Sequence, residues 1–404
     1  MKVLVNCYAC SPYQGSEPGM GWNFVKCLSR LHVLHIITEL KFKADLDRYF
    51  EEHPEDKPFF QFYFIEKNRH KKLRKIWPPS YYWFYKAWQK KAYKLAMTLD
   101  EKENFDIIHQ LNMVGYREPG YLWKLDKLFV WGPIGGFGIT PWRMLPSMGL
   151  NGCVYYFSRN ILNIFQSRYN RRVRMAMLRA TSLIAATQTQ KDYINKLYGR
   201  DSVIVPEVGC ESLSQIICRK RDFDEKLKVC WCGQHTPCKS LNLLLDAMSI
   251  LNRDDIELHV IGEGSETNRW RKHAQRLGLN NIMWYGQVER DRALDIMRKC
   301  HLFCITSLSD LTSTVLLEAL SCGLPVIALD HCGFSNVITD ECGRKIPIKN
   351  AKQVVKDLSF AINELADDES LRLRLAEGAL RRAKDYNWED KAKIITEIYE
   401  TISV

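Results

Sequence analysis

The chain has 404 residues, 46% apolar and 26% charged, with a net charge of +11. Such a length exceeds one ordinary core and points to two domains, and the composition excludes a disordered chain. No apolar run approaches the ~18–20 residues that span a bilayer, and Met1–Gly19 reads as strand and loop instead of a signal peptide, so a cytosolic protein is expected.

In chain order, short apolar runs alternate with segments of helical spacing. Strands are expected at Met1–Ala9, Val33–Thr38, Phe59–Ile65, Asp106–His109, Leu128–Trp131, Ser182–Thr187 and Val203–Val205. Helices are expected at Trp22–Leu31, Arg168–Ala180 and Gln190–Leu197. The pattern then restarts: strand Lys228–Cys232, helix Leu241–Leu251, strand Glu257–Ile261, helix Glu266–Leu277, strand Ile282–Tyr285, helix Arg290–Lys299, strand Leu302–Thr306, helix Thr314–Cys322 and strand Pro325–Leu329. A helical tail follows over Leu371–Val404, with a break near Trp388. Alternation of this kind predicts an α/β protein of two parallel-sheet domains. The expected boundaries are 1–209, a polar linker at 210–225, 226–385, and a final helix at 386–404. Ligands of such sheets bind at the carboxyl ends of the strands, so the glycine loops at Gly15 and Gly233 are expected to face one cleft.

Between Lys67 and Lys94 stand ten Lys or Arg and no acid, interleaved with Trp77, Tyr81, Tyr82, Trp83, Phe84, Tyr85, Trp88 and Tyr93. The plain reading is a solvated basic helix with its aromatics in the core. The functional reading is an anionic membrane surface. Nucleic acid is not expected as a partner, since no RNA- or DNA-binding motif accompanies the charge. The fourteen cysteines include a CxxC at Cys7 and Cys10 and a CxC at Cys230 and Cys232. Neither has a second pair at zinc spacing, so they read as reduced structural thiols and no metal site is assigned.

The chemistry concentrates in the second half. After the Leu302–Thr306 strand come Asp310, the hydroxyls Thr312, Ser313 and Thr314, then Val315 and Glu318. Free amides at a helix start, aided by the helix dipole, suit an anion. Glu318, one turn inside, can accept hydrogen bonds from a polyol such as ribose, and Asp310 can reach another part of the same ligand. In the loop Gly233-Gln234-His235, glycine permits close approach, and Lys239 supplies a point charge for phosphate. Gly262-Glu263-Gly264 closes the next strand, and the backbone of Gly286-Gln287-Val288 can read a base edge. A nucleotide diphosphate sugar satisfies all of these features.

The order of these motifs, with Asp310 and Glu318 eight positions apart and Gly323-Leu324-Pro325-Val326-Ile327-Ala328 after them, resembles the retaining glycosyltransferases of the GT-B fold, family GT4. The likeness covers the whole second half. It extends to the GSEPGMGW stretch, Asp106–His109 and Ser182–Tyr198 in the first. The resemblance implies two Rossmann-like domains facing each other across a cleft. It also implies transfer of a hexosyl group from a nucleotide diphosphate sugar to an acceptor hydroxyl, in surface polysaccharide, capsule or lipopolysaccharide assembly. No cofactor or metal is implied, and the leaving phosphate takes the acceptor proton. Asp310 would orient the donor sugar, Glu318 would hold the ribose, and Lys239 and the Thr314–Val315 helix mouth would hold the diphosphate. Gly15, Gly233, Gln234, Gly286 and Val288 complete the expected donor site. His109 would touch the sugar or acceptor, and Glu17 would line the acceptor side.

A lipid-linked glycan fits a basic aromatic first half as acceptor, which places the protein at the inner membrane face. Three positions depart from the family pattern: Asp310 replaces a glutamate, Gln234 an arginine and Ser240 a glycine. The competing functions are a GT-B-fold nucleotide-sugar epimerase and a non-catalytic sugar-nucleotide binder. The plain alternatives for single residues are a capping Asp310, a structural His109, a loop acid at Glu17, a solvated helix carboxylate at Glu318, a surface Lys239 and a plain turn at Gln234.

Overall fold

The computed structural model describes residues 1–68, 71–76, 80–210, 218–222 and 224–403. Trp77 and half of the expected linker at 210–225, residues 211–217 and 223, therefore lie outside the described residues. The chain forms two compact units. One comprises Met1–Phe137, Ile164–Glu207 and Trp388–Val404, and the other Gly138–Asn163 and Val208–Asn387.

The first unit is built on β1 (Lys2–Cys7), β2 (Val33–Glu39), β3 (Phe60–Ile65), β4 (Ile107–Asn112), β5 (Leu128–Ile134), β6 (Ser182–Ala185) and β7 (Val203–Ile204). All are parallel, in the order β3-β2-β1-β4-β5-β6-β7. Helices cover such a sheet on both faces, so its central strands are apolar without alternation. Every residue of β4 is buried, as is every residue of β1 after Lys2.

The second unit repeats the plan with β8 (Leu227–Cys232), β9 (Ile256–Ile261), β10 (Ile282–Gly286), β11 (Leu302–Ile305), β12 (Val326–Leu329) and β13 (Gly343–Ile346). The order is β10-β9-β8-β11-β12-β13, again parallel throughout. Both units are thus Rossmann-like. In each, strand order reverses beside the first strand, between β1 and β4 and between β8 and β11. Loops leaving neighbouring strands part there and open a crevice.

Three regions differ from expectation. The first is the segment 138–163, which the sequence reading left in the first domain. Met144, Leu145, Met148 and Tyr156 join the core formed by Leu227, Trp231 and Leu241, so these residues belong with the second unit. The second is the expected helix Arg168–Ala180, which is present as Arg171–Arg179, while Arg168 and Tyr169 end a preceding helix, Gly149–Tyr169. Asn170 separates them, its side chain accepting from the amides of Arg172 and Val173. The third is the basic aromatic stretch. The Ser80–Glu103 helix turns Tyr85, Trp88, Ala92, Ala96 and Leu99 inward at helical spacing. Lys67 is buried, with its ammonium 3.6 Å from the Tyr81 ring centre and 3.0 Å from the Tyr8 hydroxyl. Tyr85 and Trp88 therefore serve the core, and of the aromatics named there Tyr82 and Trp83 stand exposed.

Candidate functional site

The β8/β11 crevice of the second unit holds most of the residues singled out from sequence. Three turns at the ends of β8, β9 and β10 are laced together by their backbones. The Gly233 amide donates to the Ile261 carbonyl at 3.0 Å, and the His235 amide to that of Glu263 at 2.9 Å. The Gly262 amide donates to the Gly286 carbonyl at 2.8 Å. Gly262 has φ +117°, and a Cβ there would lie 2.1 Å from the Gly233 carbonyl oxygen, so only glycine allows the turns to close on each other. Gly286 sits on the same seam at φ +70°, and Val288 just beyond it packs on the second unit's core. Gln234 is exposed at the tip of its turn.

Lys239 ends a short 3-10 turn, Pro237–Lys239, after which Ser240 takes the left-handed conformation at φ 47° and starts the Leu241–Leu251 helix. The Lys239 carbonyl accepts from the Thr306 hydroxyl at 2.7 Å, which ties the β8 loop to the end of β11. Its ammonium pairs directly with the Asp310 carboxylate. Burial works to lower the Lys239 pKa, but the charge and hydrogen bond of Asp310 outweigh it and hold the ammonium above its ordinary value. The other Asp310 oxygen accepts from the Leu311 amide at 3.0 Å, so the residue braces its own loop as well.

The helix Thr314–Ser321 begins at Ser313, whose φ is 69° and whose side chain does not cap it. Its opening amides therefore point out of the β11 loop without a local side-chain acceptor. Glu318, in its second turn, is mostly buried and pairs with Arg290, Nε to Oε1 at 2.7 Å. Burial pushes the Cys232 thiol up to about 12, with Glu318 adding to the rise and Lys239 opposing it. Both charges are thus felt at the end of β8. Thr314 and Val315 lie half-buried at the helix mouth.

Two partners in this site escaped sequence reading. Arg290 opens the helix after the Gly286-Gln287-Val288 turn, so that turn already pointed towards it. Arg159, on the Gly149–Tyr169 helix, donates to the Ser309 hydroxyl at 2.7 Å, next to Asp310. It lies 150 positions away in sequence, and no local pattern announces it. It places a second guanidinium beside the β11 loop that carries Asp310.

Gly15, Glu17 and His109 lie in the first unit. Gly15 is exposed and precedes the Ser16–Leu28 helix. Glu17 accepts from the Val114 amide at 2.7 Å, and burial raises its carboxyl above the usual range despite that bond. His109 is fully buried. Its Nε2 donates to the Gly132 carbonyl at 2.8 Å, and Nδ1 accepts from the Tyr399 hydroxyl at 2.5 Å. Burial lowers its pKa to about 4. Both ring nitrogens are occupied and no surface is open to a sugar, so the expected substrate contact gives way to a core histidine. The fourteen cysteines are free thiols, and among the described residues no cluster of three or more His, Cys, Asp or Glu is placed to hold a metal.

Residues 215–382 match the model of the family described as glycosyl transferases group 1. Over 313 residues the chain is 24% identical to an uncharacterized glycosyltransferase of Methanocaldococcus jannaschii, covering 77% of this chain and 80% of that protein. It is 28% identical over 227 residues to the phosphatidyl-myo-inositol mannosyltransferase of Mycobacterium leprae, covering 54% of this chain and 59% of the relative. Among solved structures, Anabaena HepE in complex with UDP superposes with a TM-score of 0.64 at 16% identity, covering 99% of this chain and 100% of that one. The chain has the GT-B fold of two Rossmann-like domains, and it is a glycosyltransferase whose second unit is similar to the group 1 domain over residues 215–382.

Proposed function

We propose that the enzyme moves a sugar from a nucleotide diphosphate sugar to an acceptor hydroxyl, with retention at the anomeric carbon, by the route the GT4 resemblance implies. The observation that carries this reading is the pairing of Lys239 with Asp310 beside the uncapped Thr314 helix and the Glu318–Arg290 pair. Once a diphosphate arrives, Lys239 exchanges part of its interaction with Asp310 for the phosphate oxygens, and the Thr314–Val315 amides complete the cradle. Such fixed charges and dipoles stabilise a departing diphosphate without reorganising. Asp310, released from Lys239, orients the donor sugar. Glu318, held in place by Arg290, accepts from the ribose hydroxyls. The laced turns at Gly233 and Gly286, with Gln234 and Val288, frame the base and the diphosphate.

The resemblance assigns Gly15 to donor binding and Glu17 to the acceptor. The leaving phosphate takes the proton of the attacking hydroxyl, so no metal or cofactor is required. HepE was solved with UDP, which favours a uridine nucleotide as the first donor to try. The acceptor is a lipid-linked glycan at an anionic membrane surface on the cytoplasmic side, in surface polysaccharide, capsule or lipopolysaccharide assembly.

The test is a donor screen read by nucleoside diphosphate release, with and without lipid-linked acceptors. Release that requires acceptor, and that falls at least tenfold in both Lys239→Ala and Glu318→Ala folded variants, supports the reading. Near-normal turnover in both variants overturns the donor-site assignment. Conversion of the donor sugar without any acceptor would identify an epimerase. Nucleotide binding with neither outcome would identify a non-catalytic binder.

A further inference from the structure

We propose that the outward face of residues 149–163 docks the protein on an anionic lipid surface. The stretch is inside out. Facing the protein are Gly152, Tyr156, Asn160 and Asn163, all buried. Facing solvent are Leu150 (81% exposed), Val154 (59%), Phe157 (52%) and Ile161 (50%), at the 4-3-4 spacing of one helix face, flanked by Tyr155 and Leu162. The buried polar side is fully used: the Asn160 amide donates to the Thr140 carbonyl at 2.8 Å, and its oxygen accepts from the Thr140 amide at 3.0 Å. A helix that turns two asparagines, a glycine and one core tyrosine inward and displays its aliphatic residues and Phe157 reverses the ordinary amphipathic order. A contiguous exposed apolar face of this kind marks an interaction site.

The occupant is read from charge. From Lys127 to Lys191 the chain contains no Asp or Glu. Exposed Arg143 borders the face, and beside it the Trp142 ring stands edge-on to Phe157 at 5.4 Å. At the helix start the Arg269 guanidinium donates to the Met148 carbonyl at 2.8 Å, and the Thr267–Arg276 helix that carries it also exposes Arg271, Lys272 and Arg276. An apolar stripe with tryptophan, tyrosine and arginine at its margins suits the headgroup layer of an anionic bilayer. A symmetric pairing with a second copy would set these cations against one another. No helix among the described residues is long and apolar enough to cross a membrane, so the face lies on the bilayer.

Arg159, on the same stretch, reaches inward to Ser309 beside Asp310, so one element carries both the lipid face and a contact to the donor loop. The inference rests on the proposed function only in what the docking is for. It also moves membrane contact away from the Lys67–Lys94 stretch, whose central aromatics are buried.

Vesicle co-flotation at low salt tests it, with phosphatidylcholine containing phosphatidylglycerol against phosphatidylcholine alone. Wild type is expected to float with the anionic vesicles and to be released by salt. The triple variant Val154→Glu, Phe157→Glu, Ile161→Glu should lose binding about tenfold or more. The same positions changed to serine should weaken binding without added charge. A control variant, Lys86→Glu with Lys90→Glu, should float as wild type does. Unchanged thermal melting confirms that the substituted chains fold. Any of four results overturns the proposal: no flotation of wild type, undiminished flotation of the triple variant, loss confined to the Lys86/Lys90 variant, or a wild-type dimer in sedimentation that the triple variant dissolves. Flotation through this face with no nucleoside diphosphate release from any donor would sink the transfer reading and leave the docking surface standing.

Discussion

The two units share one topology and differ at the point where their strand orders reverse. At the β8/β11 crevice the loops carry paired charges: Lys239 with Asp310, and Glu318 with Arg290. At the β1/β4 crevice the inward groups are neutral amides. Asn6 donates to Gln89 at 2.8 Å and to Gln110 at 3.0 Å, and the Asn112 side chain exchanges hydrogen bonds with both backbone groups of Ala9. Glu17, which accepts from the Val114 amide two residues beyond Asn112, is pushed towards its neutral form by burial. The same sheet therefore supports a pair of ion pairs in one unit and a hydrogen-bonded lattice of neutral amides in the other. Topology says where a ligand can sit, and only side-chain chemistry says whether anionic charge is welcome there.

The comparison breaks most readily at Lys239. Lys239→Ala should cut turnover about a hundredfold, because it leaves both Asp310 and the leaving diphosphate without their cation. A loss of severalfold or less would mean that charge at this crevice is incidental. In the first unit, His109→Ala should cost about 2–4 kcal/mol of unfolding free energy, since it strips partners from the Tyr399 hydroxyl and the Gly132 carbonyl and leaves a cavity. Activity per folded molecule should be nearly unchanged. A specific loss of turnover at full stability would return His109 to the site.

The pH profile sharpens the same contrast. The lowered pKa of His109, about 4, means that the unfolded chain takes the proton first. Its contribution to stability is complete above an ordinary histidine value of about 6.5 and is lost as pH falls towards 4. Urea titrations of wild type and His109→Phe across that window should diverge. Glu318→Ala should lower turnover about tenfold with the larger part in KM, and Arg290→Ala should follow it more weakly, as a residue acting through Glu318. The smallest effect is expected at Glu17. A raised carboxyl pKa makes stability greatest below the ordinary value of about 4.3 and lets it decline as pH rises through the folded value. Glu17→Gln keeps an acceptor for Val114 and should remove that decline, raising Tm at pH 7 by about 2–4 °C with no gain at pH 4. A fall in Tm at pH 7 would show that the charged form is the one the fold prefers.

Much of this was legible from sequence because it is written locally. Continuous apolar runs gave the parallel strands, and Leu241–Leu251 was read with its observed bounds. Lys239, Asp310 and Glu318 stood out because they close strands of one sheet. What stayed hidden depends on distant partners. Arg159 meets Ser309 only after the fold brings them together. The helix that holds Arg159 was missed because its exposed positions are the apolar ones, so core periodicity looked in the wrong direction. His109 drew attention as a strand-end histidine, and nothing near it in sequence reveals Tyr399, 290 positions later. β13 escaped notice because Gly343-Arg344-Lys345-Ile346 has too few apolar residues to mark a strand, although its pairing with β12 is regular.

The partnership of His109 with Tyr399 bears on how the protein is made. Tyr399 is fully buried against His109, and Phe24 meets the Trp388 ring edge-on at 5.1 Å, so the first unit's interior includes residues synthesised after the whole second unit. Between Glu207 and Trp388 a ribosome adds roughly 180 residues, about 10–40 s of elongation at common rates. Through that interval the amino-terminal sheet waits with an open slot while the whole second unit can complete its own core. Nascent chains halted before residue 388 should therefore show protease-resistant carboxyl-terminal fragments and a still-labile amino-terminal half.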